Sequence, residues 1–220
     1  RAEMGTDWNK MADNAKSRSD IYGLLTLVFR EEPSVAFINE LRGPRLAGAF
    51  SEMDLELGGS FYSESVPAIA EQLALEFSHL FIGPGRHISA HESIFAEVDG
   101  DSGSLWGAKT VEVKKFIETT GLDYASQFTG LPDHISVELE FMEKLTLWEA
   151  AKWIEMDRES AEYCLSIQRM FLQRHLLDWI PSFCDAVIAQ AELPFYREMA
   201  ELTKNYLELE ERILAIETAA

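Results

Sequence analysis

The sequence predicts an all-α fold, a compact helical bundle of about nine or ten helices in which an N-terminal and a C-terminal helical part are joined by a hinge. Three observations predict it. Apolar residues recur at helical spacing along most of the chain. No stretch alternates apolar and polar residues as a half-buried strand does, and no internal repeat suggests a solenoid. Prolines and glycines fall between the periodic stretches, where they stop one helix and start the next. With 220 residues, 47% of them apolar, the chain can bury a sizeable core as one large domain or two small ones.

The opening, Arg1 to Lys10, is polar, and Met11 could itself be the natural start. A first helix is expected from near Ser19, with Ile21, Leu24, Leu25 and Val28 on one side. Pro33 opens a second through Val35, Phe37, Ile38 and Leu41, which Gly43-Pro44 ends. An amphipathic piece covers Leu46 to Leu57 and stops at Gly58-Gly59. Pro67 lies in the first turn of a clearer helix that carries Ile69, Leu73, Phe77 and Leu80 to a hard stop at Gly83-Pro84-Gly85. Residues 86–104 show no period, and a loop that long inside a compact chain is usually functional or disordered. A helix from Trp106 to Thr120 ends at Gly121, a natural C′ glycine. Residues 122–131 form a second irregular segment and the expected boundary between parts 1–125 and 126–220.

At residues 130–145 a sharp break meets a strong helix start. Pro132 disfavours helical backbone at Leu131, and Asp133 can cap the helix that begins there. Ile135, Leu139 and Met142, with Val137, Phe141, Leu145 and Trp148 beside them, make adjacent apolar rows of a buried helix over 133–155. Asp157 caps the next, from Arg158 through Leu165, Met170 and Leu176. Pro181 punctuates it, and Pro194 opens a last amphipathic helix through Tyr206, Leu209 and Ile213.

The net charge of −19 excludes a nucleic-acid binder, whose face must be basic. The charge is uneven. Residues 1–45 hold seven acids and seven bases, residues 46–143 seventeen acids and four bases, and residues 144–220 fourteen acids and eight bases. Such a middle segment either keeps the protein soluble or attracts a basic partner. No apolar run is long enough to span a bilayer, and no signal-peptide core opens the chain. Cys164 and Cys184 form no CxxC pair and stand among apolar residues, which reads as buried free thiols in a reducing compartment, the cytoplasm.

Enzyme signatures are absent: there is no P-loop, no GxGxxG after a strand and no GxSxG elbow. Glu76-x-x-His79 matches one element of helical di-iron sites, which need two. His87 and His91, with Glu92 beside them, could bind zinc on a helix. These two constellations are what an alternative reading, an all-α metal-binding or enzymatic protein, would rest on; a generic helical interaction protein is the other alternative. His175 reads as a core histidine with a backbone or carboxylate partner. His134 begins a helix, where the dipole disfavours imidazolium, and could hydrogen-bond a peptide backbone.

An ordered set of motifs carries a resemblance. It consists of Leu80-Phe81-Ile82-Gly83-Pro84-Gly85, Glu92-Ser93-Ile94-Phe95, Leu105-Trp106-Gly107 opening a helix that ends at Gly121-Leu122, Pro132-Asp133-His134-Ile135 with Glu138-Leu139-Glu140-Phe141-Met142, and His175-Leu176-Leu177-Asp178-Trp179 with Phe183. Over about residues 70–185 it resembles the TorD/DmsD family of redox-enzyme maturation chaperones, to which NarJ-type proteins are related. The resemblance implies an all-helical, non-catalytic cytoplasmic protein with no cofactor of its own. Its partners would be the apo catalytic subunit of a molybdenum enzyme and that subunit's twin-arginine signal peptide, held until cofactor loading and delayed from export. It implies signal-peptide binding by Phe81, Gly83, Pro84, Phe95, Asp133, His134, Glu138 and Phe141. A domain-swapped homodimer, known among members, is a further implied state. The chain departs from the family in carrying Phe95 where members often have Tyr or Trp, which removes a polar handle. An acidic surface and an apolar groove suit two guanidinium groups followed by an apolar tail.

Overall fold

Asp7 sets where the chain turns helical. In the computed structural model, which describes residues 7–95, 105–121 and 130–217, its carboxylate accepts the N–H of Lys10 at 3.1 Å and starts α1, Trp8–Arg30. This helix begins well before Ser19. Its first half buries Ala12, Ala15 and Arg18, two small residues and a charge, which carry no apolar period for a sequence reading to detect. They pack because Arg18 finds buried acidic partners on other helices.

Ser34, its side chain accepting from Phe37 N, caps α2, Val35–Leu41. Gly43-Pro44 then ends one helix and opens α3, Pro44–Glu52. The amphipathic stretch stops earlier than Leu57, at a turn where Asp54 takes a left-handed φ of 54°. Gly58, at φ 92° with Pro194 packed where a side chain would stand, leads into the single turn α4, Gly59–Ser63. Ser65 caps α5, Val66–Phe77, which widens into a π-helical turn over Ser78–Ile82 before Gly83.

Within the stretch that lacks a sequence period lies the short α6, Glu92–Phe95. The rest of that stretch, residues 96–104, is outside the described residues, as are residues 122–129 of the expected hinge. α7 spans Ala108–Thr119, and Gly121 has the left-handed φ of 74° expected of a glycine just past a helix end. The long α8 covers Ile135–Ile154 and α9 Arg158–Phe171, capped by Asp157 through Ser160 N. A second π-helical turn, Leu172–Leu176, joins α9 to α10, Leu177–Gln190. Pro181 sits inside α10 instead of ending it. It falls in the second turn of α10, just after the widened segment Leu172–Leu176. α11 runs from Pro194 to Glu217.

Among the described residues the regular structure is helical, with one isolated β-bridge and no strand, as the sequence predicts. α1 lies along α8, and α8 along α9, so the N-terminal part packs directly on the C-terminal part. One buried apolar cluster runs from Ala12 to Leu214. Gly23 lets α1 approach α8: a Cβ there would stand 2.8 Å from Glu143 Oε1. Among the described residues, no helix is long and apolar enough to cross a membrane.

Candidate functional site

Two segments far apart in sequence meet backbone to backbone at the start of α8. Ile135 N donates to Ala90 O and Glu92 N donates to Asp133 O, both at 2.9 Å, so His91 and His134 face each other in a single antiparallel bridge. Their rings contact edge to face with centroids 5.0 Å apart. The pairing fixes the irregular segment before α6 onto the helix start.

Asp133 does not cap α8, as the sequence suggests. It is fully buried, and Oδ2 accepts the N–H of Ser93 at 3.0 Å, so it caps α6 across the bridge. His134 takes over the α8 cap. Its backbone is extended, and Nδ1 accepts the Ser136 N–H at 3.2 Å while lying 2.8 Å from Ser136 Oγ. An accepting Nδ1 requires the neutral ring. Burial first, then His91 and Arg30, hold the His134 pKa down at about 3. The helix dipole favours the same neutral form, but desolvation is the largest cause. Burial also lowers the pKa of His91, against the opposing charge of Asp133. The Ser136 hydroxyl is fully buried, so this His–Ser contact is a cap and not an exposed nucleophile.

Beneath the bridge lies a buried polar cluster. Glu92 Oε2 is 3.0 Å from His175 Nδ1, both side chains fully enclosed, and Lys109 Nζ is 3.4 Å from Glu92 Oε1. His175 thus has the carboxylate partner expected of a core histidine. Glu138 is also fully buried, and its Oε2 accepts from Trp179 Nε1 at 3.0 Å. Burial, followed by the charge of Glu92, pushes the Glu138 carboxyl well above the usual carboxylate range. Glu92 has a lysine and a histidine beside it, and Glu138 has the Trp179 indole.

Aromatic rings close the site on its other side. Phe95 is half-buried, its centroid 5.8 Å from Trp179 and 6.0 Å from Phe183. Phe81, also half-buried, meets Phe183 at 5.9 Å and Phe29 at 6.2 Å. Gly83 is half-buried and Pro84 exposed on the adjacent rim. Phe141 is interior, 4.7 Å from Phe171. The eight residues singled out from sequence therefore divide. Phe81, Gly83, Pro84, Phe95 and His134 reach the surface. Asp133, Glu138 and Phe141 lie behind them, where they hold α6, Trp179 and Phe171 in place.

The metal constellations do not converge. Glu76 turns inward, its Oε1 accepting the N–H groups of Glu192 and Leu193, while His79 is exposed. His87 is exposed, His91 Nδ1 lies 3.1 Å from Ser89 Oγ, and Glu92 points to His175. Among the described residues no group of three or more His, Cys, Asp or Glu side chains is arranged to hold a metal ion. Sequence reasoning missed the roles of Lys109 and Ser93. Neither announces its role locally, and both act through partners far away in the chain.

Comparison with known proteins places this arrangement among relatives. The nitrate reductase delta subunit family matches residues 45–185. A chaperone protein TorD of Photobacterium profundum is 30% identical over 144 residues, covering 65% of this chain and 64% of that protein. A chaperone protein TorD of Psychrobacter is 29% identical over 182 residues, covering 76% and 77%. The perchlorate reductase assembly chaperone protein of Dechloromonas aromatica is 26% identical over 218 residues, covering 93% of each. Among solved structures, an Archaeoglobus fulgidus protein provisionally assigned as a redox enzyme maturation protein superposes with a TM-score of 0.53. That match covers 87% of this chain and 93% of that one at 21% identity, which establishes the shared fold.

Proposed function

The chain belongs to the nitrate reductase delta subunit family, and on that premise we propose that it is a cytoplasmic, non-catalytic maturation chaperone for the catalytic subunit of a molybdenum enzyme. It holds the apo-subunit while cofactor is inserted and binds the twin-arginine leader that would otherwise commit the subunit to export. The relatives named TorD and the perchlorate reductase assembly chaperone support the class of function.

The observation that carries the binding reading is the paired corner. A neutral histidine, two half-buried phenylalanines and the Gly83-Pro84 turn each keep access to solvent. They are braced from behind by Asp133, Glu138 and Phe141. These residues offer rings for an apolar segment and an imidazole for a peptide backbone, on supports that are buried and hydrogen-bonded. The acidic chain favours a basic partner. An exchange of the C-terminal part, 126–220, between two chains is the dimeric state this reading allows.

Calorimetric titration tests it, using a synthetic leader peptide with two adjacent arginines followed by an apolar stretch of roughly ten residues. Binding should be saturable and should weaken as salt rises. His134→Ala and Phe95→Ala should each weaken it about tenfold, the loss of one good hydrogen bond or one partly buried ring. A peptide bound equally well by both variants and the parent, or with no dependence on salt, would remove the corner from the function.

A further inference from the structure

α1, α2, α3 and α8 enclose a groove of about 710 Å³ that none of the corner residues lines. That is the size of a ligand site, far above the small voids that packing leaves. Leu24, Leu27, Phe37, Phe50 and Met53 wall it, and Leu27 and Met53 stand 40% and 48% exposed. Its charged lining is acidic on balance: Asp20, Glu40, Glu140 and Glu143 against Arg30 and Arg45. Two of these acids already have partners. Glu140 is 2.7 Å from Arg30, and Asp20 is 3.8 Å from Arg45. Glu40 and Glu143 have no cation within 4.0 Å among the described residues.

Two further features mark the groove as a site and not a packing accident. The Thr26 hydroxyl lines it on a residue only 2% exposed and has no hydrogen-bond partner, and Arg30 Nε is likewise unpartnered. Buried polar atoms without partners are costly, and a ligand that supplies one removes the cost. Burial, then Glu140, pushes the Glu143 carboxyl upward, against the opposing charges of Arg30 and Lys144. Glu140, which lines the groove, lies on α8 less than two turns beyond its cap His134.

Among the described residues, the carboxylates of the corner itself are not open to a guanidinium. Asp133, Glu92 and Glu138 are all fully buried and engaged with Ser93, His175 and Trp179. We infer that the arginine pair of the leader docks on Glu40 and Glu143 at the rim of this groove, with the neighbouring apolar residues against Leu27 and Met53, while the corner holds the rest of the peptide. This rests on the proposed leader-binding function and assigns its charge-reading residues. Two carboxylates on separate helices suit two forked guanidinium groups.

The test compares two synthetic leaders, one with the adjacent arginines and one with both replaced by glutamine, against the full-length parent and Glu40→Gln/Glu143→Gln. The parent should prefer the arginine peptide, and the double variant should bind it about tenfold or more weakly, lose the preference and lose most of the salt dependence. Leu27→Ala/Met53→Ala should weaken both peptides alike, because both keep the apolar segment. Thermal unfolding of each variant guards against misfolding, and glutamine at two exposed or half-buried acids leaves packing intact. A double variant that keeps the parent's preference would overturn the assignment and leave leader binding standing. A parent with no preference for the arginine peptide would overturn the leader-binding reading as well.

Discussion

Replacing Arg18 with methionine should be among the most damaging single changes to this fold. Arg18 lies on α1, 7% exposed, and reaches three other helices. Its Nε and Nη2 each meet a Glu210 oxygen at 2.8 Å, a bidentate fork onto α11. Nη1 donates to Glu149 Oε2 on α8 at 3.0 Å, and Nη2 also donates to Gln168 Oε1 on α9 at 2.6 Å. Tyr22 donates to Glu210, and Trp153 and Gln168 donate to Glu149, so each carboxylate is fully used. Burial by itself lowers the guanidinium pKa, but Glu210 and Glu149 outweigh it and leave it raised. Methionine fills much of the volume yet leaves two enclosed carboxylates without a cation.

Breaking a buried pair in this way costs about 3–5 kcal/mol, whereas exchanging a whole buried cluster for apolar residues is often neutral. The single variant should therefore lose about that much in urea unfolding followed by circular dichroism, with an unchanged denaturant slope. For a chain of this size that corresponds to a melting point lower by roughly 10 °C. Arg18→Met/Glu149→Met/Glu210→Met should recover most of the loss. The single variant should also regain stability on acidification, because its two orphaned carboxylates are raised in the folded state and are stabilising only when protonated. A single variant within about 1 kcal/mol of the parent would refute this account, since water must then reach the cluster.

Three further outcomes concern other residues. The folded-state pKa of His134 lies near 3, below the ordinary 6.5, so its contribution is present above pH 6.5 and is lost as pH falls toward 3. At pH 5 this costs about 2 kcal/mol relative to pH 7, and chemical unfolding of His134→Asn should show a flatter decline across that window; an identical decline would mean the imidazole is not held neutral. Asp133→Asn should lower the melting point more than loss of an exposed cap, because a weaker acceptor then faces Ser93 N in a fully buried position; a melting curve like the parent's would show that α6 does not depend on that bond. Burial raises the Cys164 thiol to about 12 and the Cys184 thiol further, so both should resist a thiol reagent at pH 8 until urea unfolds the chain. Fast labelling of either in native buffer would mean that its helix opens.

What the sequence determined by itself is the helical fold, most helix boundaries and the family. These depend on local signals: apolar periodicity, Ser34, Ser65 and Asp157 as caps, Gly121 as a stop, and an ordered set of short motifs. Where a boundary moved, the deciding interaction was not local. α1 extends back to Trp8 because distant Glu149 and Glu210 stabilise Arg18. α6 forms a turn where the sequence has no period because Asp133, forty residues on, caps it.

The site shows the same division. Motif order singled out Phe81, Phe95, Asp133 and His134 as candidates. Which of them faces solvent was not legible from it. Periodicity assigns a residue to a helix face, but only the packed structure shows that the bridge between Ala90–Glu92 and Asp133–Ile135 turns Asp133 inward and leaves His134 at the edge. The groove beside it was equally hidden. Its acidic members, Glu40 on α2 and Glu143 on α8, lie about a hundred residues apart in sequence and line one groove. Long-range pairing of this kind is decided by tertiary contacts, because each residue's environment is set by side chains that its own neighbourhood in sequence does not contain.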